Sequence, residues 1–416
     1  MADNMWDTII VGAGPAGLMA GIQAARRGQQ VCILEKTDRP GKKLRITGKG
    51  RCNVTNCCTV EDFMPNVLAN PRFLYSSLNA FTPYEVMGFF EELGVPLKVE
   101  RGDRVFPESD NAHHIADALV RCAVESGCLI RQGEVKNLLL EEGRAAGVQL
   151  SDGSQLRSRS VILCTGGKSY PVTGSTGDGY TLARQAGHNI TPLRASLIPI
   201  LCAERCCRDM MGLSLRNVTL SVTQKNASGK EKLIFQELGE MLFTHFGVSG
   251  PLVLSASCHM TGKLSSYTLA IDLKPGLSEE QLDARILRDF GQFANKDFIN
   301  SLGQLLPRKA IPVIAQRSGI PFDTKVNQIT RPQRQALCQA IKHFTLTPTG
   351  FRPIEEAIVT AGGVDVGQLN PKTMESKLCP GLYFAGELLD VDGYTGGFNL
   401  QIAFSTGFAA GSHCGE

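Results

Sequence analysis

Asp7-Thr-Ile-Ile-Val11-Gly12-Ala13-Gly14-Pro15-Ala16-Gly17-Leu18, running on to Gly28 and then to Gln30-Val-Cys-Ile-Leu34-Glu35, decides the fold. The first five residues are apolar and β-branched, as a strand buried on both faces requires. A glycine turn follows at once. Leu18 to Gly28 then reads as a helix with Leu18, Ile22 and Ala25 on one face and Gly28 as its stop. Gln30–Leu34 is a second strand, and Glu35 closes it. Each glycine has a task in such a unit. Gly12 allows the tight turn, Gly14 lets a pyrophosphate approach the backbone, and Gly17 lets helix and strand pack closely. The helix N-terminus offers oriented N–H groups to the phosphates, and Glu35 can accept hydrogen bonds from an adenosine ribose while repelling a 2′-phosphate. Strand, turn, helix, strand and acid in this order predict a dinucleotide-binding Rossmann unit rather than a glycine-rich turn without a ligand.

Working outward, the chain of 416 residues is 43% hydrophobic and 20% charged, which implies a folded, multi-domain protein without disordered tracts. Its 43 basic and 40 acidic side chains leave a net charge of +3. The basic residues are scattered rather than striped, so no nucleic-acid partner is expected. The acidic start, with Asp3 and Asp7, lacks the basic region of a signal peptide. Thr8–Ala25 is uncharged, but its glycines read as strand, turn and helix rather than a membrane span. Fourteen cysteines without a C-x-x-C pair point to reduced thiols in a cytoplasm, with no metal site.

Forty-four glycines, about one residue in ten against the usual ~7%, gather at both ends of the chain. The basic loop Gly41-Lys-Lys43-Leu-Arg-Ile-Thr47-Gly-Lys-Gly50-Arg51-Cys52-Asn53 can wrap a long anionic cofactor and bring amides to a flat ring. Arg157-Ser-Arg-Ser-Val-Ile-Leu-Cys-Thr165-Gly166-Gly167 and Gly381-Leu-Tyr-Phe-Ala-Gly386-Glu387 read as buried strands that end in small residues, where a parallel sheet places its ligand crevice. The tail Asp390-Val-Asp-Gly-Tyr394-Thr-Gly-Gly397-Phe-Asn399-Leu400-Gln401 runs into a helix through Gly407, whose amides can face an electron-rich ring. Distant segments converging on one ligand fit FAD better than NAD.

The Gly12–Gly17 fingerprint, Thr47-Gly-Lys-Gly-Arg-Cys-Asn53, Gly174-Ser-Thr-Gly-Asp-Gly179, Leu242-Phe-Thr-His-Phe-Gly-Val-Ser-Gly-Pro251, Ala385-Gly-Glu-Leu-Leu-Asp390 and Gly396-Gly-Phe-Asn-Leu-Gln401 together resemble the BaiN/YhiN-like flavoproteins. The resemblance implies an FAD-dependent oxidoreductase, with NADH or NADPH as electron donor. It also implies an α/β fold, a discontinuous Rossmann-like FAD-binding domain interrupted by a β-barrel insert with a helical subdomain. Members are associated with reduction of steroid-like enones and with amine oxidation. The texture agrees with an insert. Leu213–Thr223 alternates with period two, Lys225-Asn-Ala-Ser-Gly229 reads as a hairpin turn, Tyr267–Leu273 is a strand, and Ser278 with Gln281 forms a capping-box pattern. The expected division is 1–190 for the first part of the FAD domain, 191–350 for the insert (helical at about 278–340), and 351–416 for the last part.

The expected cofactor contacts are Gly12 to Gly17, Glu35, Lys36, Lys43, Thr47, Gly50, Arg51, Cys52, Asn53, Val135, Thr165, Gly166, Gly167, Gly386, Glu387, Gly397, Asn399, Leu400 and Gln401. Tyr170, His245 and Tyr394 lie in glycine-rich surroundings and are the candidates for proton transfer beside a flavin, although flavin chemistry also runs without a protein acid. The expected reaction is reduction of a conjugated C=C bond in a small organic substrate, with amine oxidation as the alternative. A second alternative is a redox dithiol of Cys52 and Cys57. It lacks a second nucleotide fingerprint mid-chain and a C-terminal His-Glu pair, since Glu416 is the one acid after His413. A non-enzymatic FAD-binding or RNA-modifying protein is a further class, its RNA form disfavoured by the missing basic stripe.

Overall fold

The computed structural model describes residues 5–226 and 229–415. Asp3, Glu416, and Ala227 and Ser228 at the tip of the expected hairpin turn lie outside the described residues. The chain forms two compact units, one of residues 1–196 with 353–416 and one of residues 197–352.

In the first unit, strands β1 (Trp6–Val11), β2 (Val31–Glu35), β3 (Leu129–Gln132), β6 (Gln155–Leu163) and β7 (Leu382–Phe384) form a parallel sheet in the order β3-β2-β1-β6-β7. Helices α1 (Pro15–Arg26) and α2 (Ala112–Glu125) cross between parallel neighbours. β6 is long, and its two halves do different work. Its C-terminal half pairs with β1 and β7, while Gln155–Arg157 pairs with β5 (Arg144–Leu150), which pairs with β4 (Val135–Glu141) in an antiparallel meander. The apolar runs foreseen in the sequence are the centre of the core: Ile9, Ile10, Ile33, Ile162, Leu163 and Phe384 are wholly buried. α1 begins three residues earlier than the apolar pattern, because Pro15 occupies the first helical position, where its missing N–H costs nothing. The final helix, α3 (Phe398–His413), runs six residues past Gly407.

Gly407 does not stop α3 because it serves packing. A Cβ there would lie 2.3 Å from Ala16 O, and one at Gly411 would lie 2.2 Å from Ala20 O. The backbones of α1 and α3 therefore touch.

The second unit is built on a seven-stranded antiparallel sheet. Its order runs from Phe344–Leu346 through Tyr267–Asp272, Ser214–Lys225, Glu231–Thr244, Gly247–Ser249 and Ile200–Cys202 to Pro348–Phe351. Among the described residues no ladder pairs its two edge strands with each other. Its two edge strands are nonetheless separated in sequence by Thr347 alone, which forces the sheet to curl back on itself. The helices Glu279–Gln292 and Arg331–Lys342 each start with a complete capping box, Ser278 with Gln281 and Thr330 with Gln333. This unit has its own core, including Leu220, Val222, Leu269, Ile271, Leu337 and Ile341. No helix among the described residues is long and apolar enough to cross a membrane.

Candidate functional site: a dinucleotide cradle in the first unit

The turn between β1 and α1 shows three different uses of glycine. Gly12 has φ +103° and leaves only 2.5 Å between a Cβ and Cys164 O. Gly17 is tighter, since a Cβ would lie 1.9 Å from Gly12 O. Gly14 has an ordinary extended backbone, φ −81° and ψ −175°, and among the described residues beyond its immediate chain neighbours no atom lies within 4 Å of where its Cβ would stand. Nothing inside the protein therefore demands glycine at position 14. Gly14 caps α1 without a side-chain hydrogen bond, so the first N–H groups, including those of Ala16 and Gly17, are left for an incoming acceptor.

Glu35 ends β2 beside this turn. Its Oε2 accepts the Ala13 N–H at 3.0 Å and its Oε1 accepts the Thr37 N–H at 2.8 Å. Gly133 N–H donates to Glu35 O at 2.9 Å, two residues before the buried Val135 that starts β4. Lys36 is drawn elsewhere: its ammonium pairs with Asp178 and donates to Thr176 Oγ1 at 2.6 Å.

The loop after β2 turns through a run of left-handed residues, Gly48, Lys49, Gly50 and Cys52, with φ of 56°, 59°, 85° and 61°. Two of these are not glycine, a local strain that concentrates at ligand clamps, and such conformations turn successive N–H groups to one side, where an anion or ring edge can meet them. Thr47 holds the loop from within: its hydroxyl donates to Leu44 O, and its carbonyl accepts the Cys52 N–H. Cys52 is fully buried, and burial pushes its thiol up to about 12. A thiol in that state is a packing group, and Cys52 and Cys57 are both free. Arg51 also differs from expectation. Its guanidinium pairs with Glu100 and with Asp110 at 2.6 Å and lies 4.2 Å from the Phe106 ring centre, so its charge is satisfied within the chain.

The remaining strand ends meet at a polar node. Lys43 Nζ donates to Glu387 Oε2 at 2.5 Å and to Ser169 Oγ at 2.6 Å. Glu387 Oε1 accepts from Ser169 Oγ and from the Thr360 N–H, both at 2.9 Å. A Cβ on Gly167 would lie 2.4 Å from Thr360 Oγ1, and Gly166 has φ +72°. Gly386 donates its N–H to Thr406 Oγ1 in α3 at 3.0 Å. The node thus ties the basic loop, the Thr165 turn, the strand Val359–Ala361 and the Gly386 turn together. Ser169 and Thr360 were missed from sequence, because an isolated hydroxyl carries no spacing signal.

In the tail, Gly397 caps α3 with φ +100° and again no side chain satisfies the first turn. Asn399 closes the loop before it, accepting the Gly393 N–H at 2.9 Å and donating to Gly393 O and Tyr394 O. Leu400, half-buried, packs against the core. Gln401 faces inward: it accepts from Thr55 Oγ1 at 2.6 Å and donates to Phe81 O and Ser405 Oγ, so its amide serves the interior. Tyr394 is half-buried in the first unit, with its N–H donated to Asn66 O. Tyr170 takes φ +53° after the Thr165 turn, its N–H held by Glu355 O. His245 belongs to the second unit, exposed and edge-on to Phe246 at 5.0 Å. Asp392 is a group that sequence reasoning passed over. It is 1% exposed, accepts from Ser196 Oγ at 2.6 Å, and is pushed above the ordinary carboxylate value by burial.

These residues fit an FAD. Gly14 leaves a cradle that a Cβ would fill, two helix N-termini lack side-chain caps, and the buried Asn53 Oδ1 and Thr165 Oγ1 have no hydrogen-bond partner among the described residues. Among those residues, no group of three His, Cys, Asp or Glu side chains is placed to hold a metal.

Comparison with known proteins identifies the family. The family model described as the HI0933-like protein Rossmann domain matches residues 6–413. The chain is 31% identical over 409 residues to the ribosomal RNA dihydrouridine synthase of Escherichia coli, covering 97% of this chain and 96% of that protein. It is likewise 31% identical over 418 residues to the 3-dehydro-bile acid delta(4,6)-reductase of Clostridium scindens, covering 98% of each. Among solved structures, the 3-ketosteroid-delta4-(5alpha)-dehydrogenase of Rhodococcus jostii shares the fold at a TM-score of 0.55 and 16% identity, over 100% of this chain and 97% of that one. The chain belongs to the HI0933-like Rossmann family of FAD-dependent oxidoreductases.

Proposed function

We propose that this oxidoreductase reduces a C=C bond conjugated with a carbonyl group, drawing its electrons from NADH or NADPH. The supporting observation is what its two full-length relatives have in common. A bile-acid delta(4,6)-reductase saturates a C=C bond conjugated with a ketone. Making dihydrouridine saturates the uracil C5=C6 bond, conjugated with the C4 carbonyl. FAD, when bound, supplies the hydride. The chain must hold the reacting carbon against the flavin, keep water out and deliver a proton to the carbon next to the carbonyl.

For cofactor binding, we assign the pyrophosphate to the Gly14 cradle and the first turn of α1, the ribose to Glu35, and the flavin ring to the amides of the Gly48–Cys52 loop and of the first turn of α3. For proton delivery, Tyr394 is favoured over Tyr170, because Asn66 and Asn399 pin its loop directly before the uncapped end of α3. The test is anaerobic reduction by NADH and NADPH, then reoxidation by a steroid enone, a uridine-containing RNA, an amine-derived imine and oxygen, with products weighed for a gain of two hydrogens. Reduction of the oxidised flavin by an amine, with reoxidation confined to the imine and oxygen, would replace this reading by amine oxidation.

One observation favours RNA as a second reading of the substrate. The near-neutral whole chain conceals an uneven division: residues 197–352 carry 19 Lys and Arg against 12 Asp and Glu, a net +7, while the other unit carries 24 against 28, a net −4. Charge asymmetry of this kind is a mark of polyanion binding.

A further inference from the structure

We infer that the RNA-docking surface of this protein is a basic corner of the second unit built from Arg205, Arg208, Arg308 and Lys309. The inference rests on the RNA reading above and adds where the phosphates sit. Arg205 and Arg208 flank the short helix Cys206–Asp209, and the chain then turns through the exposed Met211 to Gly212. Two distant segments pack on this turn. Lys309 Nζ donates to Met211 O at 2.7 Å, and Arg317 at the end of the helix Ile311–Arg317 donates to Cys206 Sγ at 3.6 Å. The fold therefore brings together basic residues that are about a hundred positions apart in sequence, which is why no stripe is visible along the chain.

The side chains differ in what they already do. Arg317 is used, donating to Thr345 O and lying 3.7 Å from the Phe344 ring centre. Arg205, Arg208 and Arg308 are exposed, and no ion pair or side-chain hydrogen bond engages them among the described residues. Two acids accompany them, Glu204, whose carboxylate accepts the Thr347 N–H, and Asp209. Exposed arginines that no internal carboxylate neutralises keep the planar fork that phosphates accept in bidentate fashion. Exposed Met211 in their midst offers a soft apolar contact to a base or sugar face.

The test compares the FAD-loaded protein with the triple variant Arg205→Gln, Arg208→Gln, Arg308→Gln, using a fluorescein-labelled, uridine-containing RNA hairpin and fluorescence anisotropy over a salt series. Each phosphate contact contributes a slope of about −0.7 to −0.9 in log K against log salt, so losing three flattens the slope by about 2 and weakens binding about a hundredfold at about 0.1 M salt. Flavin content and melting temperature should match those of the parent, because the three side chains hold nothing inside the unit. Equal RNA affinity in parent and variant would overturn the assignment of the surface while leaving the RNA reading intact. A parent that binds no RNA even at low salt would overturn both. Binding of phosphatidylglycerol vesicles in place of RNA, lost in the same variant, would make the corner a membrane-facing one and overturn the proposal.

Discussion

Replacing Gly14 by Ala separates a glycine kept for the fold from one kept for a ligand. Among the described residues beyond its chain neighbours no atom lies within 4 Å of the new Cβ, and φ −81° is open to alanine. The apoprotein should therefore fold as before, or gain about 0.4–1 kcal/mol from a less flexible unfolded chain. FAD binding should suffer. The methyl group would stand where the pyrophosphate meets the first turn of α1, and losing one charge-assisted hydrogen bond costs about 1.5–3 kcal/mol. At about 1.4 kcal/mol per factor of ten, that is a rise in Kd of roughly 10- to 150-fold. Gly17→Ala is the contrast, because its Cβ would lie 1.9 Å from Gly12 O and must deform the turn, an overpacking worth about 1–3 kcal/mol of stability even without cofactor. The assay pairs thermal melts of the apoproteins with FAD titration by flavin fluorescence. A Gly14→Ala protein that melts normally and binds FAD as tightly as the parent would refute the placement of the pyrophosphate. A Gly14→Ala apoprotein that melts as low as Gly17→Ala would refute the open space itself.

Glu35→Ala should weaken FAD by about 1.5–3 kcal/mol with little change in flavin midpoint potential, since the ribose is remote from the ring; unchanged affinity in a titration would make Glu35 only the acceptor of Ala13 and Thr37. Asp392 is held above the ordinary carboxylate range by burial, so folding favours its neutral form. Its contribution to stability is complete below the unfolded value of ~3.9 and is lost as pH rises through the folded value. Melting curves at rising pH should accordingly show Asp392→Asn gaining on the parent, and parallel curves would mean the carboxyl titrates normally. Native protein treated with iodoacetamide should stay unmodified at Cys52, and Cys52→Ala should keep the flavin reducible; labelling of Cys52 with loss of electron transfer would restore the dithiol reading. With a single nucleotide fingerprint, donor and acceptor should alternate and give parallel double-reciprocal lines, whereas intersecting lines would reveal a second nucleotide site.

How far the sequence could be read depended on the range over which each signal acts. The β1-turn-α1-β2 unit was legible because its pattern is local: apolar run, glycine spacing and terminal acid all lie between residues 7 and 35. The capping box at Ser278 was legible for the same reason. Side-chain destinations were not. Lys36 and Arg51 look like cofactor cations in sequence, but each meets a carboxylate, Asp178 or Glu100, that only the fold brings near. Gln401 sits in a glycine-rich tail yet turns inward to Thr55, 346 positions away. Asp392 is one of several acids in the tail until burial sets it apart. The charge of the second unit escaped notice because the whole chain averages it away.

The backbone contact of α1 with α3 ties the beginning of the sequence to its far end. Gly407 and Gly411 rest on Ala16 O and Ala20 O, and β7 joins the sheet only after residue 381. A ribosome delivers those pieces in the wrong order for the cofactor. The dinucleotide turn emerges first and waits, its helix missing a packing partner and its sheet missing a strand, until the last segments appear. The sheet of residues 197–352, by contrast, finds every partner strand within one continuous stretch of chain. The α1–α3 contact is thus made only once α3 has left the ribosome. Any shortening that removes α3 would leave the fingerprint intact on paper and α1 without its packing partner.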